Sequence, residues 1–192
     1  MKLSYLYNQF VKFGIERDPR RKTAISSYED TAILYGNPNT DIKKIMVGID
    51  IDVGELLLAE RIRKLKGLDL VISHHPEGRA WAGFFEVMRL QVDMLVKVGI
   101  AKEVAQELMD ERRREVERRV LPQNHMRSVD AARILGLPFM CVHTPADNHV
   151  SCFIQKLLDE KKPKKVEDIV GILKEIPEYK NATHELSGPR VI

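Results

Sequence analysis

At 192 residues the chain is long enough for one substantial domain, or a domain with a smaller lobe. A content of 44% hydrophobic and 31% charged residues excludes a disordered chain. The 31 basic and 28 acidic residues are interleaved to a net charge of +3, which gives no reason to expect nucleic acid or an anionic membrane as partner. Cys141 and Cys152 are too few for a secreted disulfide framework. The first ten residues are interrupted by polar side chains and lack a small-residue cleavage site, so they do not read as a secretory signal. No apolar run approaches the roughly 20 residues that span a bilayer. A cytoplasmic location is expected.

Leu3, Leu6, Tyr7, Phe10 and Phe13 recur at helical spacing and predict an amphipathic helix to about Ile15. A charged break follows from Glu16 to Thr23 and reads as a solvated loop. Gly36-Asn37-Pro38-Asn39-Thr40-Asp41 is a dense turn signal. Ile45-Met46-Val47-Gly48-Ile49 is a buried-strand pattern closing on Asp50. Asp52 with Glu55 predicts a capping box opening a helix through Lys66, with Leu58, Ile62 and Leu65 as its inner stripe and Gly67 at its end. Leu68-Asp69-Leu70-Val71-Ile72 is the next strand, running into Ser73-His74-His75-Pro76. Strand, helix and strand make a βαβ unit, which implies parallel strands.

Helix dominates thereafter. Phe84, Met88, Val92, Leu95 and Val96 share a face until Gly99. Val104, Ala105, Leu108 and Met109 predict the inner side of a second helix, which thins into a mixed-charge run from Glu111 to Arg119. Residues 82–120 thus read as a helical hairpin. Pro122 stops it, and Asn124 is a cap for a helix carrying Met126, Val129, Ala132 and Ile134, closed by Gly136. Pro138-Phe139-Met140-Cys141-Val142 is a third buried strand, emptying into His143-Thr144-Pro145-Ala146-Asp147-Asn148-His149. Helices are predicted from Val150 to Leu158 and from Val166 to Glu175, and the tail from Ser187 reads as the opening of a strand. The expected fold class is α/β: a layered βαβ sheet with helices on both faces. An α/β domain over 1–160 would be followed by a C-terminal helix and strand segment over 161–192.

Two of these strands end in histidine. If they are parallel neighbours, His74, His75, His143 and Asp147 converge on the carboxyl edge of the sheet, where open α/β sheets bind ligands. Imidazole with carboxylate suits zinc, manganese or iron. Neighbouring residues of an extended chain point to opposite sides, so His74 and His75 suit two adjacent ions about 3.5–4 Å apart. Alternatively one binds and the other orients. Asp50 is placed either at the same edge or as a cap of the following turn. His125 faces the site or the surface, and His149 supports the site or starts a helix. Glu77 is a candidate base. Trp81 and Phe84 read as core.

His74-His75-Pro76 after an isoleucine-containing strand, with His143-Thr144-Pro145-Ala146-Asp147 after a later one, resembles the NIF-three-like family (NGG-one-interacting factor three), whose members are often labelled GTP cyclohydrolase I type 2 homologs. The strand ending in Asp50 and its capped helix resemble that family's opening βαβ, and the match spans roughly Ile45 to Leu158. The resemblance implies a dinuclear metal centre in a toroidal homohexamer, with His74, His75 and Asp147 as metal ligands and His143 in the active site. Relative to that family, residues 82–120 are an extra helical hairpin. The family completes its site with a C-terminal His and Glu four residues apart. Here the nearest pair, His184-Glu185, is adjacent, so the missing ligands are expected from Asp50, His125, His149 or another subunit, unless a C-terminal lobe is absent. The function expected is a metal-dependent hydrolase-like activity, using a metal-activated water on a nucleotide or related small molecule, with His143 or Glu77 handling a proton. The alternative is a metal-binding assembly or regulatory protein without turnover.

Overall fold

The computed structural model describes residues 1–20, 25–182 and 188–191. Four short strands form one sheet: β1 (Thr31–Tyr35), β2 (Ile45–Gly48), β3 (Leu70–Ser73) and β4 (Phe139–Val142), in the order β1-β4-β3-β2. β2 is parallel to β3, with Ile45 opposite Leu70 and Gly48 opposite Ser73. β3 is parallel to β4, with Ser73 opposite Cys141, so both histidine-bearing ends leave the sheet side by side. β1 runs antiparallel to β4, pairing Thr31 with Val142. The sequence pattern did not point to β1. Its five residues do not alternate, and its pairing is with a strand far along the chain, which no local period encodes.

The two-residue period of the strands divides the core between the faces. Val71 and Phe139 pack with Leu56 and Ala59 of α2 (Val53–Lys66) and with Val129 and Ala132 of α6 (Arg127–Leu135). Leu70, Ile72, Met140 and Val142 pack on the other face against Leu3, Leu6, Tyr7 and Phe10 of α1 (Leu3–Glu16). Burying each such aliphatic side chain is worth about 1.5–3 kcal/mol. Helices therefore cover both faces, as expected of a βαβ sheet.

The capping box of α2 is formed: Asp52 N donates to Glu55 Oε2 at 2.9 Å, and Gly67 ends the helix at φ +72°. The inner stripe differs from the expected one. Leu56 and Ala59 are buried, while Leu58 and Leu65 are 52% and 72% exposed. Ile62 of the expected stripe does pack against the cluster, so the core-facing row is Leu56, Ala59 and Ile62. Arg63 next to it donates to the Leu135 and Gly136 carbonyls at 2.8 and 2.9 Å, closing the end of α6.

Between β3 and α6 lie α3 (Gly78–Ala82), a 3-10 turn (Phe84–Met88), α4 (Arg89–Lys97) and α5 (Lys102–Val120). α4 and α5 pack together as a helical hairpin turning at Gly99 (φ +95°). Within α5, Ala105 and Val120 are buried, but Val104 and Leu108 are exposed rather than inside. α6 begins at Arg127, with Asn124 Oδ1 accepting from Met126 N just before it. α7 runs from Thr144 to Lys161, starting six residues earlier than its apolar pattern indicated. Pro145 fits there, because a proline in a first helical turn gives up no intrahelical bond.

The chain divides into two compact units, Met1–His149 and Val150–Ile192. The second holds the remainder of α7, α8 (Val166–Leu173) and α9 (Pro177–Lys180). Asp168 Oδ2 accepts from the backbone of Lys164 and Lys165 at the start of α8. Lys161 pairs with Glu175 at 3.1 Å. Residues 188–191 form no strand, and Ser187, Ile192 and the pair His184-Glu185 lie outside the described residues. No helix among the described residues is long and apolar enough to cross a membrane.

Candidate metal centre

Side-by-side ends of β3 and β4 bring together donors from two distant stretches of the chain. His74 follows β3, His143 follows β4, and Asp147 sits one turn into α7, its N–H donating to the His143 carbonyl at 3.1 Å. One ligand atom from each of His74, His143 and Asp147 lies within 4.8 Å of the others. The imidazoles of His74 and His143 stack, centroids 4.8 Å apart, and His74 Nε2 is 3.5 Å from Asp147 Oδ1.

Each imidazole has its Nδ1 turned to an acceptor. His74 Nδ1 faces the Val142 carbonyl at 3.3 Å, and His143 Nδ1 faces Asp30 Oδ2 at 2.9 Å. A carbonyl or carboxylate oxygen only accepts, so in the neutral ring the proton belongs on Nδ1 and the lone pair on Nε2. Metal-ligating histidines carry this arrangement almost without exception. The donor set is a nitrogen and oxygen set without thiolate, suited to zinc, manganese or iron. The residues present therefore fit a divalent ion.

His75 stands next to the group, its ring centroid 5.2 Å from that of His74. Its N–H donates to Ile49 O, while the N–H of His74 donates to Gly48 O, so the ladder with β2 continues past β3. The side chains then diverge. His74 turns to the end of β4, and His75 places Nδ1 2.6 Å from Asp50 Oδ1 beyond β2. The exposed pair His75–Asp50 borders the three-residue group without joining it. His149 is exposed on α7, outside the group. His125 Nε2 is held on the Val120 carbonyl at 2.8 Å.

A cavity of about 470 Å3 opens beside these residues, lined among others by Asp50, His75, Glu77, Trp81, Phe84, His125, Arg127 and His143. That volume falls in the range of small-molecule sites, roughly 300–1,000 Å3. Trp81 and Phe84, which the pattern placed in the core, stack with centroids 5.4 Å apart and form its apolar wall. Phe84 also meets the His143 ring edge-on. Arg127 pairs with Asp52 at the rim.

Burial pushes the Glu77 carboxyl up to about 7, opposed by a hydrogen bond with Ser128 and reinforced by the nearby charge of Asp52. For His143, burial disfavours the charged form, but the hydrogen bond and charge of Asp30, with Asp147 beyond, outweigh it and raise the pKa above the ordinary imidazole value. Asp30 carries no signal in the sequence pattern. It directly precedes the unrecognised strand β1, and only the long-range pairing of that strand with β4 carries it to His143.

No family model matches the chain, and no curated protein does. Among solved structures, the chain is similar to the crystal structure of a NIF3 superfamily protein from Sphaerobacter thermophilus. The two share 27% identity at a TM-score of 0.72, covering 92% of this chain and 62% of the other. The α/β fold thus belongs to a recognisable class. The chain is NIF3-like, in keeping with the resemblance carried by His74-His75-Pro76 and His143-Thr144-Pro145-Ala146-Asp147. It spans less than two thirds of that neighbour's length.

Proposed function

We propose that the protein is a metal-dependent hydrolase-like protein acting on a small molecule held in the cavity beside His143. One observation carries this reading: donor atoms of His74, His143 and Asp147 lie within 4.8 Å of one another, with Nδ1 of His74 on a carbonyl and Nδ1 of His143 between the carboxylates of Asp30 and Asp147. A bound divalent ion supplies Lewis acidity, polarising a substrate oxygen or acidifying a water. His75 and Asp50 are the candidates for holding a second ion, since their exposed pair borders the first group. Zinc, manganese and iron suit the donors equally.

The chain's own residues do the rest. Trp81 and Phe84 offer an apolar wall for a planar substrate portion, and Arg127, paired with Asp52, would have to exchange that partner to meet an anionic one. Glu77 is the candidate for moving a proton to or from the substrate, being a half-buried carboxyl in the cavity wall. A nucleotide or related heterocycle fits these features, and the resemblance points the same way. Assembly as a homohexamer is proposed on the resemblance alone.

Elemental analysis of protein purified under metal-replete conditions tests the reading. About one equivalent or more of a transition metal supports it; less than about half an equivalent sinks it. A screen of the loaded protein against nucleoside triphosphates, cyclic nucleotides and simple phosphodiesters then reads turnover. Metal without turnover would replace the hydrolase with a metal-binding assembly or regulatory protein.

A further inference from the structure

Asp30 has no exposed surface, and four donors surround it. Its Oδ2 accepts from His143 Nδ1 at 2.9 Å, Thr144 N at 3.2 Å and Thr144 Oγ1 at 2.6 Å, and its Oδ1 accepts from Thr31 Oγ1 at 3.3 Å. Thr31 Oγ1 accepts in turn from His143 N at 3.2 Å. A buried carboxylate is costly unless such partners compensate it. If tying β1 to the start of α7 were its whole purpose, the bonds to Thr31 and Thr144 would suffice. The bond to the imidazole does something more, because it acts on a ring that has two neutral forms.

We propose that Asp30 is the positioning residue of the candidate metal centre: it holds His143 as the Nδ1–H tautomer and so leaves Nε2 as the nitrogen with a free lone pair for an ion. Two features make the hold firm. The carboxylate is fixed by Thr144 and Thr31 before it meets the ring, so it cannot swing away. The ring also stacks on His74 and meets Phe84 in a T-shaped contact, so turning it over would give up its bond to Asp30 while these neighbours crowd it. His74 gets the same service from a backbone carbonyl at a longer distance, 3.3 Å. Of the two imidazoles, His143 is the one whose tautomer a single side chain sets.

This proposal rests on the metal reading for its consequence but not for its geometry, and the test separates the two. Nitrogen-15 NMR of the metal-free protein, at a pH where the ring is neutral, reports the His143 tautomer directly. A protonated Nδ1 with an unprotonated Nε2 is expected. The opposite tautomer, or an even mixture, overturns the proposal whatever the metal does.

Two variants extend the test. Asp30→Ala removes the acceptor, and a fall of roughly 10–100-fold in zinc affinity is expected, the range found when such outer partners are lost. In Asp30→Asn the Thr144 N–H and hydroxyl still call for an oxygen at the Oδ2 place, so His143 keeps a neutral acceptor. That variant should retain the Nδ1–H tautomer and most of the affinity, and it stands in for Asp30→Ala should the latter not fold. Wild-type affinity in both variants, or a larger loss in Asp30→Asn than in Asp30→Ala, would overturn the positioning role. Absence of zinc binding by the wild-type protein would sink the metal reading, leaving the tautomer measurement to decide on Asp30.

Discussion

His74 follows β3 and Asp147 sits one turn into α7, yet His74 Nε2 lies 3.5 Å from Asp147 Oδ1. The parallel pairing of β3 with β4 makes this contact, and the first turn of α7 completes it by lifting Asp147 over the His143 carbonyl. Two ligands of one ion, or a hydrogen-bonded pair in its absence, would both sit at such a distance. The difference is measurable.

Asp147→Ala removes a half-exposed side chain and should cost little stability, about 0.5 kcal/mol or less. Metal affinity should nonetheless fall at least about tenfold, as expected when an ion loses one of its few protein donors. Isothermal titration with zinc, alongside the melting temperature of the metal-free protein, reads both. Unchanged affinity would mean that Asp147 only pairs with the histidines.

Glu77→Gln keeps the shape of the cavity wall and leaves all three donors in place. Metal content should stay at the wild-type level, while turnover of whatever substrate the screen finds should drop by roughly 10²–10⁴-fold, the usual range for a lost general acid or base. Equal turnover would remove Glu77 from the proton chemistry.

A second buried carboxylate controls stability in acid. Asp18 sits under Arg20, Tyr28 Oη and the amide of Asn148, with Arg20 Nη2 2.7 Å from Oδ2. Burial opposes its ionisation, but the hydrogen bonds and charge of Arg20, with Tyr28, win and hold the carboxyl below its ordinary value. A depressed folded-state pKa contributes stability that is fully present above the unfolded value, roughly 3.9, and is lost as pH falls through the folded one. Asp18→Ala should cost about 1–3 kcal/mol at neutral pH, since it takes from Arg20, Tyr28 and Asn148 the acceptor they share. Denaturant titrations at several pH values should show that the gap between wild type and variant closes in acid. A gap independent of pH would assign the loss to packing.

Gly78 links the His-His-Pro turn to α3 at φ +57°, and a Cβ there would stand 2.7 Å from Val129 Cγ2. Gly78→Ala therefore meets both a disfavoured backbone region and a packed neighbour on α6. A loss of about 1–3 kcal/mol in denaturant unfolding is expected. A neutral result would show that α6 can retreat from the turn.

What the sequence made legible was local. The period of Leu3 to Phe13, the Asp52–Glu55 capping box, Gly67 and the three apolar runs marked α1, α2, β2, β3 and β4, each within two or three residues, although β2, expected to be buried, is an edge strand with Val47 70% exposed. The two histidine motifs then located the site's edge. What escaped was long-range or a matter of phase. β1 owes its place to β4, and with it came Asp30, which no local pattern distinguishes from the exposed acid Glu29 beside it. The inner stripes of α2 and α5 depend on helix phase, which packing sets: Leu58, Leu65, Val104 and Leu108 are apolar at helical spacing yet face outward. Pro145 could have signalled the early start of α7, because a proline just after Thr144 marks a first helical turn as readily as a loop.

The most direct measurement is anomalous diffraction from crystals grown or soaked with zinc. A peak within coordination distance, roughly 2.0–2.2 Å, of His74 Nε2, His143 Nε2 and an Asp147 oxygen is the predicted result. A zinc peak elsewhere, or none at these three side chains in protein that still adopts this fold, would contradict the metal centre and the function built on it.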